Sequence, residues 1–177
     1  MARHNLLVLR DAAVEHIKSA FTEKGFYIAA HPGPFNEGDI RQAAQKTPAI
    51  LTSLLRIRES DDTLDFASFV LYRATSADKL YDGAIAITSK LIAVLKDLEH
   101  ELCLDVPSEV SAECLFSGQL DAVNITLWAV RWSWQLQPYV VSGDFTLPDT
   151  LEIFEGYGAE HNVGDALVND NITVNEI

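Results

Sequence analysis

Several residue groups in this 177-residue chain have side chains that could do chemistry or recognition, and each also has an ordinary structural use. His31 lies in the loop His31-Pro32-Gly33-Pro34, where an imidazole could serve as a general base. The surrounding sequence offers it no nucleophile or metal-ligating partner at a telling spacing. Asp61-Asp62 resembles a metal-binding carboxylate pair, yet a solvated turn, Glu59-Ser60-Asp61-Asp62, whose short polar side chains bond their own backbone explains it with no further assumption. Glu99, His100 and Glu101 close a helical stretch and are expected to be solvated. Trp128, Trp132 and Trp134 fall on one side of a period-2 segment and invite an aromatic platform for bases or sugars.

Stronger signatures are missing. The sequence contains no P-loop, GxGxxG, GxSxG, HExxH or DxDxDG pattern. His4, His16, His31, His100 and His161 are scattered and no CxxC pair exists, so no zinc site is expected. Cys103 and Cys114 are too few for a disulfide framework and read as small buried apolar groups. No catalytic residue, metal or cofactor is assigned, and an enzyme is not expected. For the tryptophans, Val130 and Leu136 on the same side are aliphatic and Arg131 lies opposite, which favours core or subunit packing over ligand stacking.

The elements that must position these residues follow from periodicity. Val8, Ala12, Ala13, Ile17, Ala20 and Phe21 recur at helical spacing over residues 8–23, and Gly25 is a good residue to end that helix. A short strand over 26–30 precedes the Pro/Gly loop. Asn36 can then accept a backbone N–H, while Glu37 and Asp39 sit where a helix macrodipole favours negative charge. This helix must be short, because Thr47-Pro48 forces extended backbone and opens an apolar run from Ala49. Residues 50–58 and 63–75 around the polar turn form an antiparallel hairpin, the second strand being apolar on both faces as in the middle of a sheet. The longest helical signal is 77–101, with Leu80, Ala84, Ile87, Leu91, Val94, Leu95, Leu98 and Leu102 in one stripe and Gly83 marking a close approach of backbone to backbone. A strand over 109–116, a surface loop over 118–124 and the Trp-bearing strand 126–137 follow. The predicted architecture is α+β: two layers, a mixed and mostly antiparallel sheet with helices packed on it over residues 1–138, and an extended, acidic C-terminal arm over 139–177 cut into short pieces by glycines.

Charge restricts the partners. The formal net charge is −13, which opposes binding of nucleic acid by phosphate neutralisation. After Arg131 there is no Lys or Arg, while Asp144, Asp149, Glu152, Glu155, Glu160, Asp165, Asp170 and Glu176 follow. The arm is therefore either a solvated tail or a rim that repels DNA or docks on a basic partner. The N-terminus lacks the apolar core of a secretory signal and no apolar run approaches the twenty or so residues that cross a bilayer, so a soluble cytoplasmic product is expected.

The segment from His31 to Leu55 carries a family resemblance. In the pattern HPGxFxExDIRxxAxKTPAIL, the residues His31, Pro32, Gly33, Phe35, Ile40, Arg41, Thr47, Pro48 and Leu51 resemble the tail terminator (tail completion) proteins of Mu-like phages, and the likeness extends over roughly residues 8–137. It implies a small α/β protein that forms a homo-oligomeric ring, six-membered in the family. Such a ring caps the phage tail tube, stops tube polymerisation and presents a surface for head-tail joining. The implied partners are further copies of the chain, the tail tube protein and the head-tail connector, with no membrane and no sequence-specific nucleic acid, although DNA can pass through the ring. The implied location is the head-tail junction of the virion, assembled in the host cytoplasm. The acidic arm is longer than this role requires. The competing expectation is a monomeric binding or regulatory module that uses the Trp128/Trp132/Trp134 face.

Overall fold

A computed structural model describes residues 5–33, 37–58, 60–120, 123–137, 156–163 and 166–173. Phe35 of the motif and the proposed cap Asn36 lie outside these, as do Asp144, Asp149, Glu152, Glu155, Asp165 and Glu176. The chain divides into two compact units, Met1–Phe145 and Thr146–Ile177.

Helix α1 (Asn5–Ala20) buries Leu9, Ala13, Val14 and Ile17, with Phe21 just beyond it. Val8 and Ala12, expected in this stripe, are only partly covered. Both Val8-Ala12 and Leu9-Ala13 are apolar, so the sequence leaves the stripe wide and contact with the sheet selects its centre. Gly25 then turns the chain at φ +101, a geometry costly to any residue with a Cβ. The turn delivers β1 (Tyr27–Ala30), and α2 (Glu37–Ala44) is only eight residues long. Strands β2 (Ala49–Arg58) and β3 (Thr63–Arg73) form the expected antiparallel hairpin.

Helix α3 spans Ala77–Leu95 and so ends six residues before the expected limit. At its end Lys96, Asp97 and Leu98 donate to carbonyls three residues back, the tighter 3₁₀ spacing. That turn drives Leu98 into the core, and the chain then brings Cys103 beside Leu136. Tertiary burial, rather than helical periodicity, sets the boundary.

Strands β4 (Ser108–Leu120) and β5 (Val123–Gln135) complete a five-stranded sheet in the order β1-β2-β3-β5-β4. Only β1 and β2 run parallel; the other neighbours are antiparallel, as the α+β expectation required. The surface loop expected over 118–124 is largely strand, because Gly118, Gln119 and Leu120 pair with Ile125, Asn124 and Val123. Polar composition imitates a loop here, since β4 is an edge strand and most of its side chains face water. Gly118 has a specific use: a Cβ there would meet the Phe116 ring at 3.2 Å.

The two faces of the sheet are unequal. On one, α1 and α3 cover Ile28, Ile50, Leu64, Phe66, Val70, Val130, Trp132 and Trp134. On the other, Ile40, Ala43 and Ala44 of α2 pack with Ala49, Leu51, Ala67, Phe69, Leu71 and Leu127. The middle strand β3 is accordingly buried from Phe66 to Leu71 on both sides. His16 Nε2 donates to the Val94 carbonyl at 3.0 Å, which also accepts from Asp97 N, and so ties α1 to the end of α3.

Within the second unit, β6 (Gly156–Val163) and β7 (Ala166–Thr173) pair antiparallel. The glycines were expected to leave only short pieces. Instead two eight-residue strands form with Gly156 and Gly158 inside β6, since a hairpin partner satisfies backbone groups that weak local propensity does not secure.

Candidate functional site

The tryptophan face points inward. Register pairs Phe66 with Trp132, Val70 with Trp128 and Leu64 with Trp134, all on the side covered by helices. Trp132 is 1% exposed, stacks on Phe66 at 4.3 Å between ring centroids and meets Trp134 edge-on. The indole N–H groups are served internally: Trp132 Nε1 donates to Ser68 Oγ at 3.3 Å and Trp134 Nε1 to the Asp105 carbonyl at 2.8 Å. Such rings present no surface for a base or sugar, so the ligand-platform alternative loses its site. Trp128 is half-buried at the margin and its Nε1 has no partner among the described residues.

His31 acquires a partner that sequence spacing did not reveal. Asp39, in the first turn of α2, places Oδ1 3.4 Å from His31 Nε2. The other ring nitrogen, Nδ1, donates to the Gly33 carbonyl at 2.8 Å, and Ser53 Oγ of β2 donates to the same carbonyl at 2.9 Å. His31 N also donates to the Thr52 carbonyl at 2.8 Å. The eight-residue separation of His31 and Asp39 fits neither a helical nor a strand repeat, because a turn and a helix start intervene. The recess beside them is about 90 Å³ and is lined in part by Tyr27, Gln42, Lys46 and Leu51. That is smaller than a ligand site for most organic substrates.

What the arrangement does is mechanical. It pins the His31-Pro32-Gly33 turn to β2 on one side and to α2 on the other, fixing where α2 lies on the sheet. Of the remaining motif residues, Ile40 packs beneath α2 and Leu51 is buried under it; Thr47 Oγ1 donates to the Ala44 carbonyl at 3.4 Å before the cis bond to Pro48. Arg41 is exposed on α2. The motif is thus gathered around one joint between β1, α2 and β2.

The carboxylates near Asp61 are also gathered, but around a guanidinium. Arg58 contacts Asp61 at 3.3 Å, Asp65 at 3.1 Å and Glu109 at 3.3 Å. Ser133 Oγ lies 2.8 Å from Asp65 and 3.1 Å from Glu109 as a donor. Glu109 adopts φ +53 in a bulge of β4, and bulges of this kind re-aim a side chain. The result is a cross-sheet charge cluster linking β2, β3, β5 and β4. Among the described residues no group of three or more His, Cys, Asp or Glu could hold a metal ion.

Glu99, His100 and Glu101 line a shallow recess of about 400 Å³ with Cys103, Leu104, Asp105 and Val106. His100 Nδ1 accepts from Leu102 N at 3.2 Å and its ring meets Trp134 edge-on, so it helps close the core. The two cysteines diverge. Cys103 is buried, and burial pushes its thiol up to about 12, away from nucleophilic use. Cys114, expected to be buried, is exposed because β4 has a neighbour on one side only.

The exposed large apolar residues are spread over the molecule, with Leu7 on α1, Tyr81 and Ile85 on α3, Leu104 in a loop and the others on strands. Leu55 and Ile57 lie on β2, Leu115 and Phe116 on β4, and Ile57 is 58% exposed. Strand β1 pairs only with Ala49–Thr52, so the second half of β2 has no strand beyond it among the described residues. No described helix is long and apolar enough to cross a membrane. No protein-family model and no curated protein sequence matches the chain.

Proposed function

We propose that this chain is a structural protein that assembles into a ring and terminates a phage tail tube. The observation that carries the reading is the His31–Leu51 motif, whose residues resemble those of Mu-like tail terminators. The joint built by His31, Gly33, Asp39 and Ser53 gives that motif a scaffold role that a non-enzymatic assembly protein requires. The margins of the sheet supply what ring formation needs, namely two different edges on one molecule that carry no further strand among the described residues. In this role six copies close on the last ring of the tube, block further tube subunits, leave a passage for DNA and offer a surface to the head-tail connector. The net charge of −13 suits a conduit past which DNA slides without binding. The protein then resides at the head-tail junction of the virion. Electron microscopy of particles made without the gene product tests this: tails of uncontrolled length or without heads are expected, and normal virions would remove the assignment.

A further inference from the structure

We infer that the open half of β2, Ser53–Arg58, of one copy pairs antiparallel with the β4 edge of the next, so that the sheets of neighbouring protomers join through two different margins. The inference rests on the ring-forming reading and supplies its interface. Both margins carry unpaired backbone among the described residues, and unpaired strand edges are templates for another strand. The long edge strand β4 contains no Lys or Pro to discourage pairing. Its two bulges leave Ser111–Cys114 and Phe116–Leu120 regular.

Side chains favour the same match. Ser53–Arg58 holds Arg56 and Arg58 and no acid, whereas Ser108–Leu120 holds Glu109 and Glu113 and no base; within the chain Arg58 already pairs with Asp61, Asp65 and Glu109, and Glu113 with Arg131, so among the described residues Arg56 is the cation of this margin left for a neighbouring copy. Arg56 is exposed and makes no ion pair among the described residues. Each margin also exposes two large apolar groups, Leu55 with Ile57 and Leu115 with Phe116. Pairing β4 with β4, or β2 with β2, would set like charges across the seam, which is unfavourable in a cross-strand pair. Direction agrees as well. Each step from β2 through β3 and β5 to β4 reverses the strand, so β4 runs opposite to β2. Copies carried around a ring in the same orientation therefore meet in the antiparallel sense. A contact between unlike margins repeats from copy to copy, and closes as a ring where the rotation between copies closes.

Cys114 on β4 is exposed and Cys103 is buried, which gives a direct test. The full-length Ile57→Cys variant is treated with a short-spacer bis-maleimide and run under denaturing conditions. A ladder reaching beyond the dimer is expected, because every chain then carries one reactive thiol on each margin; the wild-type chain, with Cys114 alone, should yield no ladder. By light scattering the wild-type particle should exceed a dimer, Arg56→Glu should fall to the mass of one chain with unchanged circular dichroism, and Leu7→Ser on α1 should assemble normally. A wild-type monomer, cross-linking of Ile57→Cys that stops at the dimer, or undiminished assembly of Arg56→Glu would overturn the inference. Normal virions without the gene product would remove the terminator role while leaving a ladder intact, so the two failures are distinguishable.

Discussion

Replacing Trp132 by Ala tests the most consequential placement in the structure, the inward direction of the tryptophan face. The side chain is 1% exposed, stacked 9° from parallel on Phe66, and bonded through Nε1 to Ser68 Oγ. Removing so large a buried group costs about 3–5 kcal/mol through lost transfer energy and the cavity left behind, of which about 0.5–1.5 kcal/mol reflects each ring pairing. Ser68 retains Thr52 Oγ1 at 3.0 Å, so truncation leaves it a hydrogen-bond partner. A domain of this size holds about 5–15 kcal/mol in total, so the variant should be folded but close to its limit. Urea unfolding, with a slope of about 1–3 kcal/mol per M, should show the midpoint falling by more than about 1 M. Wild type and variant must be compared at one protein concentration, because the proposed assembly would stabilise the folded state. Trp132→Phe, which retains a ring against Phe66, should lose less than half as much. A Trp132→Ala protein within about 1 kcal/mol of wild type and with unaltered near-ultraviolet circular dichroism would refute the packing described for this face.

Four further outcomes are expected. Native protein should titrate one thiol per chain with a maleimide at neutral pH, Cys114, and two after denaturation, as counted by mass spectrometry. The folded value of about 12 for Cys103 lies above the ordinary 9.0, so this group's contribution is intact below pH 9 and is lost as pH rises from there toward 12; Cys103→Ala should flatten that alkaline decline in melting temperature. Gly83→Ala should destabilise, because the new Cβ would strike the outer part of the Tyr72 ring, yet in a Tyr72→Ala background it should stabilise α3 by up to about 1 kcal/mol, the ordinary helix preference for Ala. Asp39→Ala and Ser53→Ala should each cost about 1 kcal/mol by weakening the joint at Gly33, read by thermal melting, and their effects should be non-additive because both act on one turn.

Much of the architecture follows from residues read locally. Period-2 alternation in Trp128–Leu136 specified a strand and its tryptophan face, although the opposite face, read as polar, also buries Ala129 and Ser133, and the Glu59–Asp62 turn specified the β2–β3 hairpin. Apolar residues on both sides of β3 marked it as the middle of the sheet. Gly25 was recognisable as a turn residue because positive φ is a backbone requirement felt within a single residue, but the helix expected to run to residue 23 and stop at it ends already at Ala20. The sequence was weaker wherever a side chain's fate depends on distant neighbours. Gly83 signalled a close approach, but its neighbour is the Tyr72 ring rather than backbone, eleven residues earlier in the chain and on a different element.

Composition and period determined the helices α1, α2 and α3, the strands β1, β2, β3 and β5, and where negative charge accumulates, since these depend on steric and hydrophobic preferences of adjacent residues. Tertiary structure alone decided that His31 meets Asp39, that Arg58 collects carboxylates from three other stretches of chain, that Cys114 is exposed while Cys103 is buried, and that β2 is left half uncovered. Those facts arise from strand order and from the shortness of β1. No local propensity encodes which strand becomes an edge, because an edge is defined by the absence of a neighbour supplied from elsewhere in the chain.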